Sequence, residues 1–358
     1  MTETSRRHLL RTSLAVAAAT GAGGLCAADV AALRSTSESP NVAEAPAHLR
    51  SAAPLPHAQL LALDLGTGER SHALRAAQET VSALDGGDVA AWLALGESLL
   101  VGLVHKPRHL KEMPAFPGDL LDSAQSHGDL LLQVTATSAE TARKAGDRAL
   151  RELRQWRIRW RMEGVRLDNR TEDGRGLARN PFHFNEGYGN PDNPSGITER
   201  AVVTSNQEEP DWAVGGSYQV VRIIRLATAF WDRDTIQEQE RIIGRRRDGQ
   251  WLDGTPSTER PVFASDPHGR ITPLDAHVRR AAPDRRHPPF LVRRSYGYDR
   301  GDSDRGMLFS CFQRDLSQGF ESVQKRLQGE AMAKYALTIG GGYFFVPAPG
   351  PRWLEALA

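Results

Sequence analysis

Two successive parts of the chain repeat one order of strand-like and helix-like patterns, and this order is the strongest constraint on the fold. In the first part, the predicted elements run QLLALDL (strand), SHALRAAQETVSAL (helix), SLLVGLV and DLLLQVTA (strands), AETARKAGDRALREL (helix) and RIRWRMEGV (strand). This β-α-β-β-α-β order is the split β-α-β unit of a ferredoxin-like domain.

The second part gives the same order with unrelated residues. Its predicted elements are SYQVVRIIRLA (strand), TIQEQERIIG (helix), PFLVRRSYGY and GMLFSCFQRD (strands), GFESVQKRLQGEA (helix) and GGYFFVPAP (strand). We therefore expect an α+β protein with two ferredoxin-like domains, residues 57–200 and 201–358. Residues 245–289 lack clear periodicity, and a long irregular segment of this kind is often functional. It contains His268, His277 and His287.

The first 30 residues predict a signal peptide of the twin-arginine type. Ser5, Arg6 and Arg7 begin a charged stretch, and a short Ala- and Gly-rich apolar run follows it. We expect export to the periplasm, the cell envelope or the medium, followed by a flexible linker over residues 31–56. The apolar run is too short for a comfortable bilayer span, so no integral membrane span is expected in the mature protein.

The charge balance argues against nucleic acid as a partner. The chain has 45 Lys and Arg against 44 Asp and Glu, a net charge of +1, so no global field attracts polyanions. The basic stretch RRAAPDRRHPPFLVRR, which begins at Arg279, lacks the interleaving of basic and aromatic side chains that is typical of single-strand binders. The two propionates of a haem are a more attractive anion for it. Zinc is not expected, because both cysteines are isolated and no HExxH occurs.

Several long motifs in a fixed order point to one family. They are MPAFPGDLLDSAQSHGDLLLQV, HFNEGYGNP, AHVRRAAPDRR, LVRRSYGYDRGDSDRGMLFSCFQRDLSQGFESVQKRL and GGGYFFVPAPG. Over residues 57 to 351 the chain resembles dye-decolourising peroxidases. The resemblance implies two ferredoxin-like domains of the dimeric α+β barrel type, a haem b cofactor, hydrogen peroxide and a bulky organic reductant such as a dye or phenol. Homo-oligomers are common in this family.

The resemblance assigns the cofactor site residue by residue. His277 in AHVRR matches the histidine that ligates the haem iron, and Arg279 in the same motif is assigned to cofactor binding. An acidic partner would make this imidazole a stronger electron donor. Asp266, in the same irregular segment, is our hypothesis for that partner.

On the other side of the haem, Arg293 in LVRRSYGY matches the distal arginine of the family. Such a cation would stabilise the charge that develops as the O–O bond of peroxide breaks. Arg294 should point to the opposite face of the strand, and the two roles exchange if the register differs by one residue. Phe309 on the next strand is assigned to the apolar wall of the pocket, with an ordinary core position as the alternative.

The loop HFNEG departs from the family pattern G-x-x-D-G, in which the Asp is the distal acid–base residue. Glu186 occupies the Asp position and His183 replaces the first Gly. Glutamate has nearly the same acidity as aspartate, but its extra methylene moves the carboxylate. We expect the loop backbone to differ, because a position that tolerated positive φ now carries a side chain. His183 is an alternative distal base.

The sequence is compatible with three functions. The first is a haem peroxidase in which Glu186 replaces the distal Asp. The second is a haem oxidase with a specialised substrate, and the third is a haem-binding or haem-handling protein with weak peroxidase activity.

Overall fold

The structure is a computed structural model, and the residues that it describes begin in the predicted linker. They are 46–49, 54–166, 179–186, 188–191, 193–259, 261–283, 288, 290–301 and 303–357. The predicted signal peptide and His287 lie outside these residues. The division into domains at residue 200 stays a prediction, and this position falls within a helix, Pro194–Ala201.

The described strands form a single antiparallel sheet. They are β1 (His57–Leu65), β2 (Val89–Gly96), β3 (Leu130–Ala136), β4 (Trp156–Val165), β5 (Ser217–Leu226), β6 (Val292–Arg293), β7 (Tyr296–Asp299), β8 (Arg305–Gln313) and β9 (Ala336–Val346). The first half has the order β2-β3-β1-β4, and the second half has β9-β5-β8-β7, with β6 also paired to β8. Each half has the strand order of a ferredoxin-like sheet, which confirms the predicted fold class.

Two narrow joins close the halves into a ring. Leu95 and Gly96 at the end of β2 pair with β9, and Val165 at the end of β4 pairs with Gly297 in β7. Because β5 pairs with both β8 and β9, the strand order returns to its starting point. The sheet is therefore a closed barrel of two similar halves.

Helices cover the outside of this barrel. They are α1 (Arg70–Leu84), α2 (Ala139–Glu152), α3 (Pro194–Ala201), α4 (Thr228–Trp231), α5 (Ile236–Ile243), α6 (His277–Ala281), α7 (Ser322–Leu327) and α8 (Arg352–Ala356). A π-helical turn, Ser317–Glu321, precedes α7. In the part of the chain that is described, no helix has the length and apolar character to cross a membrane.

Alternate residues of each strand belong to different cores. Leu60 and Ala62 of β1 join an apolar cluster with Ile223 of β5 and Phe312 of β8. Strands from opposite sides of a ring meet only inside it, so this cluster fills the barrel. Leu61 of β1 belongs to a second cluster, which includes residues of α1 and α2 and is the outer core.

One predicted strand is wrong. SLLVGLV, residues 98–104, forms a 3-10 turn at Ser98–Leu100 and then an exposed loop, while the strand is the preceding segment VAAWLALG. Val101 and Val104 are 65% and 88% exposed, so the apolar run alone was misleading. The predicted strand PFLVRRSYGY is shorter and interrupted, but β6 and β7 pair with β8 in one continuous register.

Candidate active site

The loop that carries Glu186 is anchored to the second half of the barrel. The side-chain oxygen of Asn180 accepts hydrogen bonds from the backbone N–H groups of Phe182 (3.0 Å) and Phe184 (3.1 Å). Both phenylalanine rings are buried in an apolar cluster with residues of α4 and α5. Two aromatic anchors therefore fix the chain immediately before Glu186.

His183 lies between these anchors and faces away from the core. Its φ is +70°, so the residue occupies the left-handed region. The expectation that this loop differs from the family's loop stays a prediction. Left-handed backbone costs a non-glycine residue about 1–2 kcal/mol. The Nε2 atom lies 3.1 Å from Oδ1 of Asp232, and the side chain is 48% exposed. The structure thus pairs His183 with Asp232 at the surface, and its role as a distal base stays a prediction.

Glu186 lies in a largely buried position among cations. Its side chain is 20% exposed, and Oε2 lies 3.8 Å from Nη1 of Arg166. Burial raises the pKa of the Glu186 carboxyl above its ordinary value, while the charges of Arg166 and Arg293 oppose this rise. Arg166 also donates from Nη1 to the carbonyl oxygen of Ser295, 2.8 Å away. This carboxyl is therefore poised to exchange a proton at higher pH than an exposed glutamate.

Arg293 is locked to the same loop. Its backbone N–H donates to Oδ1 of Asn190 (2.9 Å), and Nδ2 of Asn190 donates back to its carbonyl oxygen (2.8 Å). The guanidinium donates to the carbonyl oxygen of Tyr188. Burial lowers the pKa of Arg293, and the charge of Glu186 opposes this shift. The structure thus brings together the two residues assigned to peroxide chemistry.

Arg294 faces different surroundings, as strand alternation predicts. It is buried, and its backbone N–H donates to the carbonyl oxygen of Ser310 (2.7 Å). Burial lowers its pKa to about 10, with a further lowering by Arg166 and an opposing effect of Tyr296. Its charge also acts on His48, inside the barrel.

His277 is the first residue of α6, and a carboxylate holds its ring. Nδ1 lies 2.5 Å from Oε2 of Glu330, whose side chain is 11% exposed. Asp266, our hypothesis for this partner, instead accepts three backbone hydrogen bonds within its own loop, from Arg270, Ile271 and Thr272. That hypothesis is wrong because the acidic partner comes from the segment after α7.

Arg279 and Phe309, the other two residues assigned to the cofactor site, lie in different surroundings. Arg279 donates to carbonyl oxygens of Thr272 (2.7 Å) and Asp266 (2.6 Å), and its Nη1 lies 3.2 Å from Oδ2 of Asp266. It holds the loop before α6, and its assignment to the cofactor stays a prediction. Phe309 packs at the outer core, two residues from Cys311, which pairs with Arg293. It therefore shares the face of the sheet that carries Arg293.

This donor set suits a haem. With Nδ1 of His277 bonded to Glu330, Nε2 is the nitrogen with a free lone pair, and an imidazole held in this way is a usual axial ligand of haem iron. A half-buried arginine and a carboxyl of raised pKa, Arg293 and Glu186, form a second group suited to peroxide.

Comparison with known proteins agrees with this reading. Models of the DyP-type peroxidase family match residues 65–166 (N-terminal part) and 177–350 (C-terminal part). A deferrochelatase from Shigella flexneri is 39% identical over 273 residues, which are 71% of this chain and 64% of that protein. The chain therefore spans less than two thirds of that relative's length.

Solved structures of higher coverage extend the match. The DyP-type peroxidase from Streptomyces coelicolor is 30% identical, with a TM-score of 0.77 over 85% of this chain and 94% of that one. Ferric DtpA from Streptomyces lividans is 29% identical, with the same TM-score and coverage.

A closed barrel of two ferredoxin-like halves, with a carboxylate-bonded histidine and a half-buried arginine that interacts electrostatically with a glutamate, defines a haem protein of the α+β barrel class. The chain belongs to the DyP-type peroxidase family, and its cofactor is haem.

Proposed function

We propose that this protein is a haem peroxidase that reduces hydrogen peroxide with electrons from a bulky organic reductant such as a dye or phenol. The observation that carries the proposal is that one loop positions both reactive side chains, Glu186 and Arg293. That loop contains Glu186 and holds Arg293 through Tyr188 and Asn190. His277, bonded to Glu330, would hold the haem from α6.

When bound, haem supplies the iron that peroxide oxidises. Glu186 accepts a proton from hydrogen peroxide and returns it to the leaving oxygen, as its raised pKa favours. The guanidinium of Arg293 stabilises the negative charge that develops as the O–O bond breaks. Arg166, 3.8 Å from the Glu186 carboxylate, limits the directions in which this longer side chain can point.

Stopped-flow spectroscopy tests the proposal directly. The holoprotein is mixed with one equivalent of peroxide, and the haem absorption is followed in the wild type, Glu186→Asp and Glu186→Gln. We expect a fast spectral change in the wild type and a loss of about 100-fold or more in Glu186→Gln, because general acid–base groups contribute roughly 10²–10⁴-fold. If the Gln variant reacts like the wild type, Glu186 is not the proton carrier.

The deferrochelatase relative at 39% identity favours a second candidate function, release of iron from haem. Here His277 and its pocket would bind haem as a substrate. The test is anaerobic incubation with haem and no peroxide, followed by porphyrin fluorescence, which iron quenches. Metal-free porphyrin without a fast peroxide reaction would favour this function over the peroxidase.

We also propose export by the twin-arginine pathway, supported by Ser5, Arg6 and Arg7 before an apolar run. Replacing both arginines by lysine should retain the precursor in the cytoplasm during cell fractionation. Unchanged export of this variant would contradict the proposal.

A further inference from the structure

Two arginines tie helix α6 to helix α7. Near the end of α7, Arg326 donates from Nε to the carbonyl oxygen of Arg280 (3.0 Å) and from Nη2 to that of Ala281 (3.2 Å). Arg280 lies in α6, and its Nη1 donates back to the carbonyl oxygens of Gln328, just after α7, and of Arg326 (3.4 Å). Each member of this arginine pair, Arg280 and Arg326, therefore caps the C-terminal end of the other's helix.

These bonds reach carbonyl groups that short helices leave without partners. The last four carbonyl groups of an α-helix have no partner within the helix, and α6 has only five residues and α7 six. Helices of this length are not stable alone, so the contacts around them determine their positions. A guanidinium is also favoured at the negative end of a helix. The arginine pair therefore helps to fix α6, the helix that begins with His277.

Glu330 reaches His277 from a segment that is tied to both ends of α6. Gly329 has a φ of +72°, in the left-handed region, and turns the chain back after α7. Next to Glu330, the backbone N–H of Ala331 donates to the carbonyl oxygen of Asp275, which precedes α6 (3.1 Å). The arginine pair forms the tie at the other end. The bond between the Glu330 carboxylate and Nδ1 of His277 therefore lies in a region that is held on both sides.

We propose that Arg326 and Arg280 position the haem ligand: their reciprocal bonds hold α6 where a carboxylate meets Nδ1 of His277. All three guanidinium nitrogens of Arg326 take part, because Nη1 donates to Oγ of Ser322 (2.9 Å) while the other two reach α6. A lysine has a single nitrogen and cannot make bonds in all these directions together. The inference rests on His277 as the axial ligand, which belongs to the proposed function, and it is independent of peroxide chemistry at Glu186.

The haem reduction potential distinguishes positioning from the loss of a charge. Removal of a nearby cation favours ferric haem and lowers the potential. A weaker bond between His277 and Glu330 makes the imidazole a poorer donor and raises the potential. Spectroelectrochemical titration of the holoprotein compares the wild type with Arg326→Lys, which keeps the charge but loses the fork of bonds. We expect Arg326→Lys to raise the potential, and we expect haem to dissociate about 10-fold faster from this variant.

A double-variant cycle tests whether Arg326 acts through Glu330. Arg326→Lys should shift the potential much less in Glu330→Gln than in the wild type, because the bond that the arginine aligns is already lost. Lys325→Arg, a charge-conserving exchange at an exposed position of α7, is the matched control and should leave the potential unchanged. An unchanged or lowered potential in Arg326→Lys would overturn the proposal, and so would equal shifts in the two backgrounds.

Arg280→Met provides a second test if Arg326→Lys folds poorly, and haem-free protein provides a second readout. Amide hydrogen exchange in α6 should be faster in both variants than in the wild type, and exchange at the wild-type rate in both would contradict the proposal. His277→Ala tests the ligand itself. Normal haem binding by this variant would refute the axial ligand and with it the proposed function. Loss of haem from His277→Ala, with a wild-type potential in both arginine variants, would overturn the positioning role alone.

Discussion

One hydrogen bond sets the electronic character of His277. Because its Nδ1 lies 2.5 Å from the Glu330 carboxylate, the imidazole would be a stronger donor to a haem iron than a neutral histidine alone. We expect Glu330→Gln to raise the haem reduction potential and to weaken haem binding by about 10- to 100-fold. Spectroelectrochemical titration measures the first effect. Glu330→Asp should restore part of the potential, and Asp266→Asn should leave it unchanged although it loosens the loop before α6.

A second prediction at the residue scale concerns Glu186 and the pH dependence of the reaction with peroxide. Its pKa is raised by burial, so the carboxylate is protonated at a pH where an exposed glutamate remains charged. A base is lost when it is protonated, so the rate constant with peroxide should fall as the pH falls through this raised value. Rapid-mixing rates across the acidic range test this. The acidic limb should vanish in Glu186→Gln, and its persistence there would assign the titration to another group.

The residues that the sequence predicted are those within compact motifs. Glu186, His277 and Arg293 each belong to a short stretch that resembles the family. Glu330 carries no such local signal, because its role comes from a contact across the chain. Glu330 meets a histidine 53 residues earlier, a contact that no periodicity encodes.

At the scale of elements, a buried ion pair fixes the long connection between β2 and β3. Asp119 accepts from Nη1 (3.0 Å) and Nη2 (2.5 Å) of Arg222 on β5, and both side chains are 4% exposed. Thr338 on β9 accepts a further bond from Arg222 (2.7 Å). This connection therefore depends on the second half of the barrel.

Breaking this pair should destabilise the protein strongly. Asp119→Ala leaves the buried guanidinium of Arg222 without its carboxylate, and we expect the free energy of unfolding to fall by about 3–5 kcal/mol in urea titrations. Asp119→Leu combined with Arg222→Met should recover most of it, because two apolar side chains replace two charges. The exposed pair Glu140 and Lys144 is the control, and Glu140→Gln should change nothing measurable. A loss no larger than that control would show that the pair contributes little.

Periodicity identified most elements but not all of their positions. β1, α1 and α2 have long patterns that a sequence window detects. The position of β2 was not predicted, because VAAWLALG contains small alanines. The segment SLLVGLV that follows it is more apolar but forms a turn and a loop. The turn depends on tertiary packing, with Leu100 buried in the outer core. Local hydrophobicity does not contain that information.

At the scale of the whole molecule, closure of the sheet into a barrel creates an interior. His48, which precedes the first strand, is buried in this interior. It is 4% exposed, and its ring centroid lies 4.7 Å from that of Phe312 and 5.9 Å from that of Trp92. Within the part of the chain that the structure describes, neither ring nitrogen has a hydrogen-bond partner. Neither half of the barrel could bury it alone, because Trp92 belongs to the first half and Phe312 to the second. A histidine in such a place is held uncharged.

This arrangement predicts acid sensitivity of the barrel. Burial, with a smaller contribution from Arg294, lowers the pKa of His48 from 6.5 to about 3. As the pH falls, His48 is therefore protonated in the unfolded chain before it is protonated in the folded protein. The folded protein keeps its full stability above the unfolded pKa of 6.5 and loses stability as the pH falls from 6.5 towards 3. Each pH unit in that range costs about 1.4 kcal/mol, or ~2 kcal/mol between neutral pH and pH 5. Urea unfolding at both pH values should show this loss in the wild type and in His72→Gln, an exposed control. His48→Leu should lack it, and an unchanged loss in that variant would show that another group causes the acid sensitivity.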